Sequence, residues 1–187
     1  MIRKLVYAWA AVTLLGVIAI VVAGVVLWSH GFSSRPEPSN MEASIAMKAY
    51  DSSTPGRYKK MQNPLGAQDV NLIESGGHYE EHCAVCHGDD GSGTPKFHGI
   101  MYPRPTDLRS EETQEMSDGE LYWVIKNGVR WSGMPAFGKT GDNDEHAWKM
   151  VAYVRHLPKL TPAELQEVLQ EAEGPMNHGE SPHGHSN

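Results

Sequence analysis

The longest hydrophobic run comes first. From Leu5 to Trp28 no position is charged. As a helix rising ~1.5 Å per residue, this run is long enough to cross the ~30 Å hydrocarbon core of a bilayer. Trp9 and Trp28 stand near its ends, where interfacial aromatic residues are common. A cleaved signal peptide would have an apolar region of ~7–15 residues ending at a small-x-small site. Val25-Val26-Leu27-Trp28 offers no such site. Residues 1–29 therefore read as an uncleaved transmembrane anchor. Arg3 and Lys4 precede it, which keeps the N-terminus cytoplasmic and sends the rest of the chain across.

The pattern then turns polar. Residues 30–69 read as an extracytoplasmic linker, broken by Pro36, Pro38, Pro55 and Pro64. Asn40 to Tyr50 suits a short helix with a weak apolar stripe. As a free coil the segment would span roughly 35 Å; packing on the domain or on a partner subunit is the other reading, and the sequence leaves both open. Residues 70–158 carry helical periodicity and no buried Val/Ile strand runs, which predicts an all-α domain. A first helix is expected from about Asp69 to Cys83, with Asp69 or Asn71 at its cap. Gly76 and Gly77 cost it ~1 kcal/mol each against Ala, which points to close approach by another helix. Gly88 to Gly93 reads as a flexible turn. Ile100 to Leu108, with Pro103, Pro105 and the upstream Pro95, reads as an extended loop. Ser117-Asp118-Gly119-Glu120 is a capping box opening a second helix. Its apolar positions are Leu121, Val124 and Ile125, and Asn127-Gly128 stops it. A third helix starts near Asp142, with Glu145 completing a box, presents Trp148, Val151, Ala152, Tyr153 and Val154, and stops at Pro158. Thr161-Pro162-Ala163-Glu164 opens a mostly polar helix within 159–173. The tail, 174–187, is rich in Gly, Pro, Ser and His and is expected to be disordered, with no specific metal site at His178, His183 and His185.

Chemistry enters at Cys83-Ala84-Val85-Cys86-His87. This C-x-x-C-H run reads as a c-type haem attachment site. Two thiols on one tight turn can add to two vinyl groups on one edge of the macrocycle, and the next residue carries an imidazole beneath the iron. Three other readings compete. A disulfide closing so short a loop stabilises little. A thioredoxin-like pair needs a βαβ setting. A zinc site needs a second ligand pair, and the chain has 2 Cys; recruiting His82 and His98 gives no recognised spacing.

The iron's other face needs a ligand. Met134, followed by Pro135 in a loop beyond a helix, is the best candidate: a soft thioether favours ferrous iron. Met101 and Met116 are rivals with a packing role as the alternative. His82, His98 and His146 rank lower. All 23 acidic residues and 14 of the 16 basic ones follow Trp28, leaving a formal −9 there. This suits a basic docking face on a partner, though surface charge often serves only solubility.

In combination these motifs resemble a class I cytochrome c. The similarity rests on Tyr79-x-x-x-Cys83-Ala84-Val85-Cys86-His87-Gly88 and Pro103-x-Pro105-x-Asp107-Leu108. It continues through the helix Leu121 to Ile125 ending at Asn127-Gly128, Gly133-Met134-Pro135-Ala136-Phe137, and the helix Trp148 to Leu157. It covers about Val70 to Pro158. The resemblance implies three to five helices around one covalently bound haem c, with Cys83 and Cys86 as thioethers and His87 and Met134 as axial ligands. It implies that the carbonyl of Pro103 or Pro105 accepts the His87 Nδ1–H bond, that Trp131 and Arg104 hold the propionates, and that Tyr153 sits at the crossing of first and last helices. The chain departs from the family in one place: Ser75 stands where a glycine is usual, with Gly76 and Gly77 following.

With both axial positions filled, the expected function is electron transfer rather than catalysis. The chain reads as a single-pass cytochrome of the inner membrane, its haem domain periplasmic or otherwise extracytoplasmic. It would pass single electrons from a redox-protein donor to an acceptor in a bacterial respiratory chain. No nucleic-acid partner is expected. Two alternatives remain: an electron-transfer subunit fixed in a larger membrane oxidoreductase of the respiratory chain, and a haem-based gas sensor with a labile sixth position.

Overall fold

The computed structural model describes residues 2–31, 33, 36–66, 71–93, 100–139 and 144–173. The expectations placed on Asp69, Pro95, His98, Asp142 and the tail lie outside these. The chain divides into two units, 1–37 and 38–187. The first holds helix α1 (Ile2–His30). Its Ile2–Ser29 segment is long and apolar enough to cross a membrane, and none of it is buried.

The second unit is helical, with no strand among the described residues. Helix α2 (Asn40–Ser53) is capped by Ser39, whose hydroxyl accepts the Glu42 N–H. A 3₁₀ turn, Tyr58–Lys60, follows. Helix α3 (Leu72–His82) has Asn71 as its cap, and α4 is the single turn Ala84–His87. Helix α5 (Glu111–Glu115) was not expected from the apolar pattern, being polar throughout; Ser110 caps it through the Thr113 N–H. Helix α6 (Asp118–Asn127) carries the complete Ser117/Glu120 capping box. Helix α7 (Glu145–His156) is capped by Asp144, whose side chain accepts the Ala147 N–H. A 3₁₀ turn at Leu157–Lys159 leads to α8 (Pro162–Glu173), which Thr161 and Glu164 cap reciprocally.

Helix α7 is the centre of the core. Trp148, Val151 and Tyr153 are fully buried, and Ala147, Met150, Ala152 and Val154 are buried with them. Tyr122 of α6 stacks on Trp148 at 4.1 Å between ring centroids. Its hydroxyl accepts the Asp144 N–H, so the start of α7 is fixed to α6. Arg155 locks the other end. Its guanidinium pairs with Asp118 at 2.9 Å and donates to the carbonyls of Gln114 and Met116, joining α7 to the α5–α6 turn.

Helix α3 crosses this core at Gly76. A Cβ there would lie 2.6 Å from Val168 Cγ2 and 3.2 Å from Tyr153 Cε2. Gly77 faces open space. The close approach expected of the glycine pair thus belongs to Gly76 alone. Its partners are Tyr153 and also α8, whose Val168 is 3% exposed despite the helix's polar sequence.

Residues 58–65, within the proline-broken segment, pack on the helical core. Tyr58 is 3% exposed in the core and meets Trp123 at 4.6 Å. The Asn63 amide donates to the Trp148 carbonyl, its N–H bonds Asp118, and Gly119 N–H bonds the Met61 carbonyl. Gly119 admits this strand of chain: a Cβ would fall 1.8 Å from the Tyr58 carbonyl oxygen.

Two stability predictions follow from these contacts. Gly77→Ala should raise stability by about 0.5–1 kcal/mol, since helix propensity improves and nothing is met. Gly76→Ala should instead lower it by ~1–3 kcal/mol through overpacking. Denaturant titration of the two variants should show midpoints moving in opposite directions. Gly119→Ala should destabilise by ~2 kcal/mol or more, because backbone cannot yield as a side chain does. An unchanged midpoint would mean that residues 58–61 do not pack on α6 in solution.

Candidate functional site

Helix α3 positions the Cys-x-x-Cys-His turn. Tyr79, fully buried one turn before Cys83, donates its hydroxyl to the Gly88 carbonyl at 2.8 Å. One side chain of α3 therefore reaches across the whole pentapeptide and holds its far end. Burial first, then the neighbouring Cys83, pushes the Tyr79 phenol well above its ordinary value, so it stays a donor. Within the turn, the N–H groups of Cys86 and His87 both bond the Cys83 carbonyl, at 3.0 and 2.9 Å. Cys83 and Cys86 are half-buried, unbridged thiols. Burial, and after it Cys86, pushes the Cys83 thiol up to about 12.

His87 Nδ1 lies 2.9 Å from the Thr106 carbonyl. A carbonyl only accepts, so Nδ1 carries the proton and Nε2 keeps its lone pair. Burial lowers the His87 pKa, and the Thr106 bond partly opposes this. The imidazole is thus neutral and oriented, as a metal ligand must be. The acceptor corrects the expectation that Pro103 or Pro105 would fill this role. The Pro105 carbonyl instead lies against Gly93, 3.0 Å from where a Cβ would stand, and the next carbonyl faces the ring.

The glycine turn is held by its own hydrogen bonds. Gly91 and Gly93 hold φ values of 76° and 68°, a region that favours glycine. Gly93 N–H bonds the His87 carbonyl, and the Gly91 carbonyl accepts the Leu108 N–H. The turn thereby ties the pentapeptide to the proline loop. Arg109 adds to this by reaching Asp90 at 2.8 Å.

Met134 is set by the end of α6. Gly128, at φ 65°, ends that helix, and a Cβ on it would lie 2.7 Å from the Met134 carbonyl oxygen and 2.6 Å from the Pro135 carbonyl carbon. The Met134 carbonyl accepts the Val129 N–H, and its own N–H bonds the Ser132 hydroxyl. Beyond it, the N–H groups of Phe137 and Gly138 bond the Ile125 and Lys126 carbonyls, satisfying the last carbonyls of α6. Phe137 comes within 6.0 Å of the His82 ring, which brings this loop to the end of α3 beside Cys83.

The remaining candidates fall in different places. Met101 packs its thioether on Gly133, 2.9 Å from that residue's would-be Cβ, so it lies beside Met134. Met116 packs on the core. Trp131 is 92% exposed at φ 60°, a left-handed conformation that a bulky side chain rarely adopts. Arg104 is exposed in the proline loop. Tyr153 is fully buried and packs its ring on Tyr79 at 5.1 Å. Sequence reasoning missed Thr106, because a backbone acceptor has no side-chain signature, and it read Gly128 only as a helix stop.

The donor set suits a covalently held haem: two unbridged thiols on one turn, a neutral oriented imidazole after them, and a thioether loop fixed nearby. Comparison with known proteins agrees. Residues 73–154 match the family described as cytochrome c oxidase, cbb3-type, subunit III. The chain is also similar to a thiosulfate dehydrogenase of Stutzerimonas stutzeri (strain A1501), 32% identical over 102 residues, which is 54% of this chain. The match spans 31% of that relative's length. Together with the helical fold built on Cys83–His87, these matches show a cytochrome c domain over residues 73–154, consistent with the class I kind.

Proposed function

We propose that this chain is a membrane-anchored c-type cytochrome that passes single electrons through one covalently attached haem. Cys83 and Cys86 would form the thioethers, with His87 and Met134 as the axial ligands. When bound, the haem would supply a one-electron iron couple, with His87 and Met134 the residues that would hold the iron. The observation that carries the reading is the His87–Thr106 bond at the Cys-x-x-Cys turn, which fixes the tautomer a ligand needs. Thr106 keeps Nε2 aimed and basic, Tyr79 ties the two ends of the turn together, and Gly128 lets the Met134 backbone lie close against the end of α6. A rigid ligand set keeps reorganisation small when the iron changes charge, which is what a carrier requires. α1 supplies the anchor, and its topology would put the domain on the periplasmic side, serving a respiratory chain.

A second reading, favoured by the similarity to a thiosulfate dehydrogenase, makes the chain the electron-transfer part of an oxidoreductase.

The ligand assignment predicts a spectrum. The oxidised protein should show the weak near-infrared Met–iron charge-transfer band, and Met134→Ala should abolish it while the haem stays attached. Gly128→Ala should weaken the same band without touching either ligand, by displacing the Met134 backbone. A band that survives Met134→Ala would move the ligand role to Met101, its neighbour on Gly133. The anchor predicts that the full chain leaves membranes only with detergent, and that a chain starting at Pro38 is released without it. On native electrophoresis in mild detergent a carrier migrates alone, whereas companion polypeptides would favour the oxidoreductase reading.

A further inference from the structure

Three imidazoles and a carboxylate gather on one surface of the domain, and nothing in electron transfer requires them. His78 and His82 are four residues apart on α3 and so share a face. Their rings are nearly parallel, 6.4 Å between centroids. A third imidazole comes from a different element: His146, in the first turn of α7, meets His78 edge-on at 4.5 Å. The Glu81 carboxylate lies 3.7 Å from His82 Nε2. One donor atom each of His78, Glu81 and His82 lies within 4.8 Å of the others.

The surroundings favour a cation here. Lys149, on α7, is held by Glu74 at 3.3 Å and Glu145 at 3.6 Å. The Asp144 carboxylate is occupied by the N–H groups of Lys139 and Ala147. Glu81, exposed and paired only loosely with His82, is the carboxylate left to face an ion.

We propose that His78, His82 and His146, with Glu81, form a binding site for a divalent first-row transition metal of the zinc or copper class. Imidazole-rich sets select these metals, whereas calcium and magnesium require oxygen ligands. His78-Tyr79-Glu80-Glu81-His82 has the H-x-x-E-H spacing by which a helix presents two imidazoles to zinc, with the carboxylate between them. A tetrahedral ion binds nitrogen at ~2.0–2.1 Å. Because Glu81 and His82 are exposed, their side chains can rotate inward to that distance without disturbing the core. His78 and His146 are half-buried where α3 meets α7; His146 reaches the group through its ring contact with His78, and a turn of its side chain would bring its donor nitrogen to the other three.

The site is distinct from the Cys83–His87 turn in its ligands, so it can be tested with the haem in place. Zn²⁺ should be titrated calorimetrically into the full-length holoprotein in detergent. One ion per chain is expected. His78→Ala, His82→Ala and His146→Ala should each weaken binding at least as much as the ~10–100-fold that loss of a supporting partner costs a metal site. Glu81→Gln should weaken it less than any of them. An unchanged haem spectrum in each variant would show that the fold is intact. A parallel variant with His178, His183 and His185 replaced by Ala should bind as the parent does. Binding lost in that variant but kept in His146→Ala would overturn the proposal and assign the ion to the tail. Absence of any saturable Zn²⁺ binding would overturn it as well.

Discussion

At Gly76 the backbone of α3 rests on the side chains of Val168 and Tyr153, and no side chain stands between them. The rest of the domain follows from that close approach. It sets the height of α3 over α7, and so places Tyr79, less than one turn on, against Tyr153 with its hydroxyl directed to Gly88. The cysteine turn begins where α3 ends. An error of an ångström at the crossing would therefore be carried directly to Cys83 and His87. The buried aromatic column of Tyr122, Trp148 and Tyr58 holds the other helices to the same frame.

The two sides of the site are held by different physics. The histidine side is anchored through a side-chain bond to a backbone acceptor, His87 to Thr106, supported by a turn whose glycines adopt positive φ. The methionine side is a capping problem solved productively. Helix α6 must satisfy its last carbonyls, and the N–H groups of Phe137 and Gly138 do so. That return of the chain lays Met134 across Gly128. The backbone position of Met134 is thus a by-product of ending a helix.

Much of this was legible in the sequence, and the reasons separate cleanly. The apolar run, the Ser117 and Thr161 boxes and the Cys-x-x-Cys-His motif are local signals, and each sits where local chemistry puts it. The packing face of α8 was overlooked: Leu165, Val168, Leu169 and Ala172 fall at i, i+3, i+4 and i+7, with Val168 buried and the others half-buried, but the Glu and Gln around them made the helix read as polar. Tyr58 was hidden for a similar reason: prolines on both sides gave its neighbourhood the look of a linker, while its hydrogen bonds come from Asp118, Gly119 and Trp148, far along the chain. The Thr106 acceptor and the cradle at Gly128 are backbone properties, decided by how two distant segments meet.

The family match stops at 73 and 154, yet the core does not. Tyr58 lies before the match and Val168 after it, and both are almost wholly shielded from water. The matched module and the packed core are therefore different lengths in this protein. Transplanting the module alone into another polypeptide would carry away two uncovered faces, one over Tyr122 and Trp123 and one over Gly76. A new host would have to supply its own covers. Flanking segments that look dispensable by comparison would then determine whether such a module can be moved between proteins at all.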